Sequence, residues 1–319
     1  MKGQIENKKI IDGAKKEGKV TWYTSLAGDI VNSLVKGFEE KYPFIKVEVF
    51  RGDQANVVQR ITQEAQANKN IVDVIEVTSD GALLLKEMGL TVPYFSPGAV
   101  KLPETYRISA DGNTVWQSID RISYIGFSYN TSKLPPAAVP QTLNDLLKPE
   151  LKDKLHIVSS TTGVRWVGAV LNQLGEEEGR KFLSQMSGQN VKVQSISGAA
   201  LMELVAQGEA PASVSIFRNH NDQQKAKGAS VEWLPIEPVI ANAGGVIVAK
   251  EVKNPNASML LIDFLLGSDG GGIFKKAQYS TPLDQISFKF WLPETNFETS
   301  KQYEQAYEQW KQIFNSTFK

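Results

Sequence analysis

The sequence contains no cysteine and only two histidines, His156 and His220, among its 319 residues. Without cysteine there is no thiolate nucleophile, no disulfide and no cysteine-ligated zinc or iron–sulfur site. The two histidines lie far apart, and neither belongs to an HExxH-like pattern, which argues against a histidine metal site or a Ser-His-Asp triad. No motif combines a nucleophile, a base and an oxyanion site. We therefore expect a protein that is not an enzyme and that holds no metal and no cofactor.

Long apolar runs are also missing. The most apolar stretch, residues 259–266, contains Asp263 and falls well short of the ~18 residues that span a bilayer. Residues 1–19 are polar and rich in lysine, without the apolar segment of a signal peptide. These observations leave two alternatives, a cytoplasmic protein or an exported protein whose signal has been removed.

The chain has no net charge, because 35 basic residues balance 35 acidic ones. This balance argues against a nucleic-acid partner, since neutralising phosphates requires a basic excess. Seven of the 35 basic residues are arginine. The planar guanidinium suits carboxylate and phosphate better than a lysine ammonium does, so the rare arginines are candidates for ligand contacts. Arg51, Arg165 and Arg218 each fall at a predicted strand end or helix start.

The order of apolar patterns predicts an α/β fold. A chain of this length favours two lobes over one core. In the first ninety residues, predicted strands 19–24, 44–50 and 71–77 alternate with helices of 3.6-residue periodicity. A second α/β unit has predicted strands at residues 122–129, 155–159 and 212–217. Strands that alternate with helices indicate parallel sheets covered by helices on both faces.

Short polar segments follow the strands of the first unit, and two of them contain the candidate ligand residues Ser25 and Ser79. Ligands of parallel α/β sheets gather at the carboxyl ends of the strands. Each segment also leads into a helix, whose first N–H groups suit an anion. The alternative is that these side chains are ordinary helix caps.

The second unit contains a stronger candidate, in which the strand at 155–159 is followed by Ser160, Thr161, Thr162 and Gly163. Hydroxyls and a glycine at a helix start can surround an anion. Arg165 lies in the first helical turn, where the helix dipole disfavours a cation by up to about 1 kcal/mol unless an anion is near. An ordinary surface arginine is the alternative.

A third polar cluster begins directly after the strand at 212–217 and includes Arg218 and Asn219. Charged and amide side chains at a strand end indicate a ligand-facing position rather than a core position. We therefore add both residues to the candidate ligand-binding set.

The order of several short stretches resembles the periplasmic solute-binding proteins of ABC transporters, in the type II group that contains the ferric-ion-binding proteins. The resemblance runs from about residue 10 to residue 285. The matching stretches are 14–25 (AKKEGKVTWYTS), 38–43 (FEEKYP), 72–74 (VDV), 126–131 (GFSYNT), 207–209 (QGE), 225–228 (KAKG), 244–245 (GG), 254–257 (NPNA) and 264–266 (FLL).

This resemblance implies two α/β lobes joined by two crossing strands that close over a ligand. The expected lobes are residues 1–118 with 245–285, and residues 119–244, with a C-terminal helical segment 286–319 packing on them. The crossings are expected near residues 116–123 and 235–243. The resemblance further implies a monomer that is periplasmic, or extracellular and membrane-anchored, with its signal removed, and a transporter permease as partner.

One departure from the ferric members decides the expected ligand. Those proteins carry a Tyr-Tyr pair shortly before the segment that matches residues 225–228, and here the two positions are Arg218 and Asn219. A guanidinium repels Fe³⁺, which needs anionic phenolate ligands, so an anionic ligand replaces iron. In ferric members the segment matching residues 159–163 holds a synergistic anion.

We therefore predict a binding protein for a small organic anion such as a phosphonate, a sugar phosphate or a carboxylate. Arg165 or Arg218 would supply a bidentate contact. A ligand-sensing partner of a membrane histidine kinase is the alternative function, and an enzyme is a further one.

Overall fold

The computed structural model describes residues 2–111 and 114–318, with side chains from residue 8 onward. These residues form two compact units. Unit 1 contains the described residues up to Ile122 together with Ala243–Gln285, and unit 2 contains Ser123–Asn242 and the described residues from Ile286 onward. Each unit is an α/β structure, so the predicted fold class is confirmed.

The described part of the chain alternates between helices and strands along most of its length. The α-helices are α1 (Lys2–Glu17), α2 (Gly28–Lys41), α3 (Gln54–Gln66), α4 (Ser79–Glu87), α5 (Thr161–Leu174), α6 (Glu176–Ser187), α7 (Gly198–Gln207), α8 (Arg218–Ala226), α9 (Pro255–Leu266), α10 (Ser268–Lys276) and α11 (Ser300–Thr317). The strands are β1 (Lys19–Thr24), β2 (Lys46–Arg51), β3 (Val74–Thr78), β4 (Thr91–Val92), β5 (Arg107–Asp111), β6 (Thr114–Asn130), β7 (Leu155–Val158), β8 (Lys192–Gln194), β9 (Ala212–Phe217), β10 (Val231–Leu234), β11 (Val239–Ala249) and β12 (Phe290–Trp291). Short 3₁₀ helices lie at Ala99–Lys101, Glu104–Tyr106, Pro136–Ala138, Leu143–Leu147, Pro149–Leu151 and Pro293–Asn296.

Unit 1 is built on a sheet in which β1 lies between β2 and β3 and is parallel to both. Strand β11 continues this sheet and runs antiparallel to β3. Helices α3 and α4 contribute Val57, Ile61 and Leu85 to the core on one face. On α2 and α9, the rings of Phe38 and Phe264 meet edge to face at 5.5 Å. Strand β1 is buried except at Lys19, and β3 except at Thr78, as expected for strands covered on both faces, whereas β2 lies at the edge of the sheet and is mostly exposed.

Helices α9 and α10 complete unit 1 by packing on α1 and α2. Proline stands at the first position of α9, where its missing N–H leaves no hydrogen bond unmade. Among the described residues, no single helix is long and apolar enough to cross a membrane. Helices α9 and α10 meet that criterion of length and composition only when they are taken together across a 51° bend.

Unit 2 contains a sheet in the order β6-β9-β7-β8. Strand β7 is parallel to β9 and β8, whereas β9 is antiparallel to β6. Helices α5, α6 and α11 cover it with a core that includes Trp166, Phe182, Trp310 and Phe314. Because β7, β8 and β9 run in the same direction, their carboxyl ends lie at one edge of the sheet.

Candidate functional site

Three helices of unit 2 begin at the carboxyl ends of its parallel strands. Strand β7 leads into α5, β8 into α7 and β9 into α8. We call these strand ends and the three helix starts the unit-2 edge. The first N–H groups of each helix have no partner within the helix, and the helix dipole makes this end positive. The unit-2 edge is therefore suited to an anion.

The first turn of α5 carries the hydroxyls that the sequence indicated. Ser160 and Thr161 are exposed, and Ser160 is the N-cap residue but makes no side-chain cap. Thr162 is 7% exposed, and its Oγ1 has no hydrogen-bond partner within residues 2–111 and 114–318. A buried hydroxyl that stays unpaired costs about 1–3 kcal/mol. Its hydrogen-bonding capacity is therefore unused within the described residues.

Gly163 has a packing role in the structure. Its N–H donates to the Ser160 carbonyl at 3.0 Å. A Cβ at this position would lie 1.9 Å from the carbonyl oxygen of Val158, so only glycine lets α5 start so close to the end of β7. The amide predicted to contact a ligand is thus used inside α5, and we leave Gly163 out of the donor set.

Arg165 is 5% exposed and is surrounded by partners from unit 2. Its Nη2 donates to the Glu294 carboxylate at 2.5 Å, its Nη1 to Asn242 Oδ1 at 2.7 Å and its Nε to the Tyr303 hydroxyl at 3.0 Å. Because α5 begins at Thr161, Arg165 is its fifth residue and lies beyond the predicted first turn, and its charge is matched by the Glu294 carboxylate of the chain itself. Because these partners occupy the guanidinium, we do not retain the predicted ligand contact of Arg165.

Arg218 and Asn219 open helix α8. The Arg218 side chain is 42% exposed, with its Nε 3.4 Å from Asp222 Oδ2 and its guanidinium 5.7 Å from the centre of the Trp233 ring. Asn219 is buried, and its Oδ1 accepts a hydrogen bond from the Ser123 hydroxyl. The half-exposed guanidinium of Arg218 has one long ion pair and can therefore bind an anion as well. Asn219 instead anchors the start of α8 through its hydrogen bond with Ser123.

Two further side chains at the unit-2 edge lie outside the predicted set of ligand-binding residues. Ser197 caps α7 by accepting from the amide of Ala200 at 3.1 Å. The signal was present, because a serine precedes the apolar periodicity of this helix. His220 lies near Gly198, and its Nδ1 is buried without a partner among the described residues. Burial lowers the pKa of His220 below its usual value, which favours the neutral ring.

In unit 1, the structure places Ser25 and Ser79 at the carboxyl ends of the neighbouring strands β1 and β3. The amide of Ser25 donates to the Glu76 carbonyl at 3.0 Å. Ser79 is 2% exposed at the first position of α4. The Oγ atoms of both serines are buried and have no partner in the part of the chain that the structure describes. Unit 1 thus presents two uncommitted hydroxyls at one sheet edge.

A buried group of charges lies close to these serines in unit 1. Glu76 accepts from the Thr24 hydroxyl at 2.7 Å and pairs with Arg121 Nη2 at 3.0 Å. Burial, and then the Glu76 charge, raise the pKa of Asp120 well above its ordinary value. Gly244 leaves room for this pair, since a Cβ there would lie 2.5 Å from Arg121 Cζ. The Arg121 charge is therefore neutralised internally.

Residues 69–302 match the profile of a family described as bacterial extracellular solute-binding protein. The chain belongs to this family. One curated relative of this solute-binding protein is the Fe(3+)-binding periplasmic protein of Serratia marcescens, 29% identical over 167 residues. That alignment covers 51% of this chain and 47% of the relative, so it spans about half the length of each.

Solved structures of periplasmic binding proteins share the fold. AfuA from Actinobacillus pleuropneumoniae, with fructose-6-phosphate bound, has a TM-score of 0.68 at 23% identity and covers 93% of this chain and 99% of its own. Iron-bound HitA from Pseudomonas aeruginosa has a TM-score of 0.70 at 18% identity and covers 92% and 99%. These similarities confirm the type II periplasmic binding protein fold for this solute-binding protein.

The unit-2 edge of this solute-binding protein differs from an iron site in its charge. Arg218 places a cation there, and a guanidinium cannot coordinate a metal ion. Within the residues that the structure describes, no three His, Asp or Glu side chains come together in a way that could hold a metal ion. The donor set consists of hydroxyls, amides and a guanidinium, which matches an oxyanion.

Proposed function

We propose that this protein captures a small organic anion, such as a phosphonate, a sugar phosphate or a carboxylate, and delivers it to the permease of an ABC importer. It would do so as an exported monomer. The observation that carries the proposal is the buried, unpartnered hydroxyl of Thr162 in the first turn of α5. It lies at an edge where three helix starts supply further donors.

The donors of unit 2 would supply much of the affinity that uptake needs. Ser160, Thr161 and Thr162 offer hydroxyls, and Arg218 offers a charge on a half-exposed guanidinium. Hydrogen bonds to charged groups contribute about 1.5–3 kcal/mol each. A micromolar dissociation constant corresponds to only about −8 kcal/mol. Two or three charge-assisted contacts therefore supply much of the binding free energy.

The hydroxyls of Ser25 and Ser79 support the same ligand class. The Ser79 hydroxyl lies at the start of α4 and the Ser25 hydroxyl lies directly after β1, and both lack partners among the described residues. A polar ligand group would satisfy them, as it would satisfy Thr162. We therefore keep both serines in the proposed ligand-binding set.

A thermal-shift screen with inorganic phosphate, alkylphosphonates, sugar phosphates and di- and tricarboxylates identifies the class. A ligand at 100 times its dissociation constant adds about 2.7 kcal/mol to the folded state. In a protein of this size that shifts the melting temperature by several degrees. If none of these anions raises the melting temperature, the proposed ligand class is wrong.

We expect Thr162→Val to weaken binding of the screened anion at least tenfold while the protein remains as stable as the wild type or becomes slightly more stable. Valine keeps the shape of the side chain and removes a buried hydroxyl that no protein group satisfies. Calorimetry and urea unfolding measure the two quantities. Thr131→Val is the control for affinity, because Thr131 is an exposed residue of unit 2 whose hydroxyl donates to the Ser230 carbonyl at 3.3 Å. Equal affinity for the variant and the wild type would remove Thr162 from the site.

Arg218→Ala is expected to weaken anion binding at least tenfold with the fold intact. The side chain is half-exposed and its ion pair with Asp222 is long, so little stability depends on it. The matched control is Arg180→Ala, which removes an exposed arginine of the same unit from a similar i,i+4 pair. Calorimetry that gives the same dissociation constant for both variants contradicts the assignment of Arg218.

A further inference from the structure

Helix α11 contacts the start of α5 at two matched positions. Arg165 Nε donates to the Tyr303 hydroxyl at 3.0 Å, and the Tyr307 hydroxyl donates to Thr161 Oγ1 at 3.4 Å. Thr161 and Arg165 are four residues apart on α5, and Tyr303 and Tyr307 are four residues apart on α11. Residues at this spacing lie on one face of a helix, so the two helices meet along facing stripes.

The Arg165 contact joins α5 to three other segments of unit 2. Asn242 belongs to β11, Glu294 lies in the 3₁₀ helix before α11, and Tyr303 belongs to α11 itself. The Arg165 and Glu294 side chains are 6% and 5% exposed. The additional hydrogen bonds fix the geometry of this buried ion pair. Removing either partner would leave an uncompensated buried charge, which is destabilising.

The packing below these polar contacts leaves α5 little room to move on α11. A Cβ on Gly168 would lie 2.4 Å from the ring of Trp310, and one on Gly163 would lie 3.1 Å from the ring of Phe314. The two aromatic rings of α11 therefore rest directly on the backbone of α5. Any shift of the first turn of α5 has to break the contacts of Arg165 or move α11 as well.

We propose that Arg165 is a positioning residue for the anion site, which holds the first turn of α5 against the C-terminal helix α11 so that Thr161 and Thr162 keep their places. Tyr307 adds direction, because a hydroxyl that accepts from Tyr307 has its own O–H left to donate outward. The proposal gives the C-terminal segment a role in ligand binding without ligand contact. It rests on the proposed function for the identity of the site and on the contacts above for the mechanism.

The test separates positioning from general stability by comparing a single and a double variant. Arg165→Met leaves the Glu294 carboxylate buried without its cation, so this variant is expected to be destabilised. Arg165→Met/Glu294→Leu replaces the pair with apolar side chains of similar size, a change that is often neutral for stability. In the double variant we expect the amides of Gly163 and Val164 to exchange at least tenfold faster than in the wild type, with the amides of α7 unchanged.

The same double variant is expected to bind inorganic phosphate at least tenfold more weakly by calorimetry, although its melting temperature is close to that of the wild type. Arg165→Lys keeps the charge but cannot reach three partners. Its phosphate affinity should fall between those of the wild type and the double variant. Wild-type exchange at Gly163 and Val164, or wild-type phosphate affinity in a stable double variant, overturns the positioning role. If the wild type binds no anion and exchange still accelerates only in the first turn of α5, the proposed function fails and the clamp of Arg165 on that turn stands.

Discussion

Replacing Gly163 with alanine is expected to lower the free energy of unfolding by about 3 kcal/mol. The new methyl group would lie 1.9 Å from the carbonyl oxygen of Val158, a backbone atom that cannot rotate away. Either β7 or the first turn of α5 must move. Because Thr161 and Thr162 precede this glycine directly, we also expect the variant to bind the screened anion at least tenfold more weakly.

Gly272→Ala provides the control for the glycine substitution. Gly272 lies in α10, and no atom is within 4 Å of the position that its Cβ would take. Alanine in a helix interior is favoured over glycine by about 0.5–1 kcal/mol, so this variant should be slightly more stable than the wild type. Urea unfolding of both variants tests the difference. Similar small changes for the two would show that the contact at Val158 relaxes easily.

Acidification is expected to destabilise the protein through His156. This residue on β7 is 4% exposed, and burial, aided by the charge of Lys192 on β8, lowers the pKa of His156 to about 4. In the unfolded chain the imidazole titrates near 6.5, so below that pH the unfolded state binds more protons. The stabilising effect of the neutral ring is complete above about pH 6.5 and is lost as the pH falls toward 4. The loss between pH 7.5 and pH 5 is about 2 kcal/mol.

His156→Gln isolates this contribution, because glutamine can still pair with Gln194 and does not titrate. Urea unfolding of the wild type and the variant between pH 7.5 and pH 5 gives two stability curves. Between pH 7.5 and pH 5, the wild type should lose about 2 kcal/mol more free energy of unfolding than the variant. Taking the difference between the two curves removes the contribution of the carboxylates that both proteins share. Parallel curves would mean that the imidazole accepts a proton in the folded protein without penalty.

The sequence predicted the buried strands well and the polar helices poorly. The predicted strands 19–24 and 212–217 coincide with β1 and β9, because both are rich in β-branched and aromatic residues and are bounded by turn or polar residues. Helices α1 and α6 were not predicted. Their sequences are mostly polar, and in α6 only Gly179, Phe182, Leu183 and Met186 are buried. A narrow apolar stripe of this kind is recognisable only once the surface that it packs on is known.

The candidate site shows where local sequence reasoning ends. A hydroxyl that caps a helix and a hydroxyl that binds a ligand have the same sequence signature. At Thr162 the distinction comes from the structure, in which its Oγ1 has no partner among the described residues. For Arg165, the dipole argument assumed a place in the first helical turn and a ligand as the anion, but α5 begins at Thr161, and the charge of Arg165 is matched by an anion of the chain. That anion is Glu294, 129 residues further along the chain, and no local pattern links the two positions. Contacts between distant segments decided which arginine is structural and which is open to solvent.

The order of segments along the chain also affects how the protein folds. Strand β3 of unit 1 pairs with β11, which lies roughly 170 residues later in the chain. Helix α5 of unit 2 packs on α11, which lies near the C-terminus. At about 5–20 residues per second, the free side of β3 stays unpaired for roughly 10–30 seconds of synthesis. Neither unit can complete its core until the ribosome has nearly finished. Both units therefore remain incompletely folded through most of the synthesis of the chain.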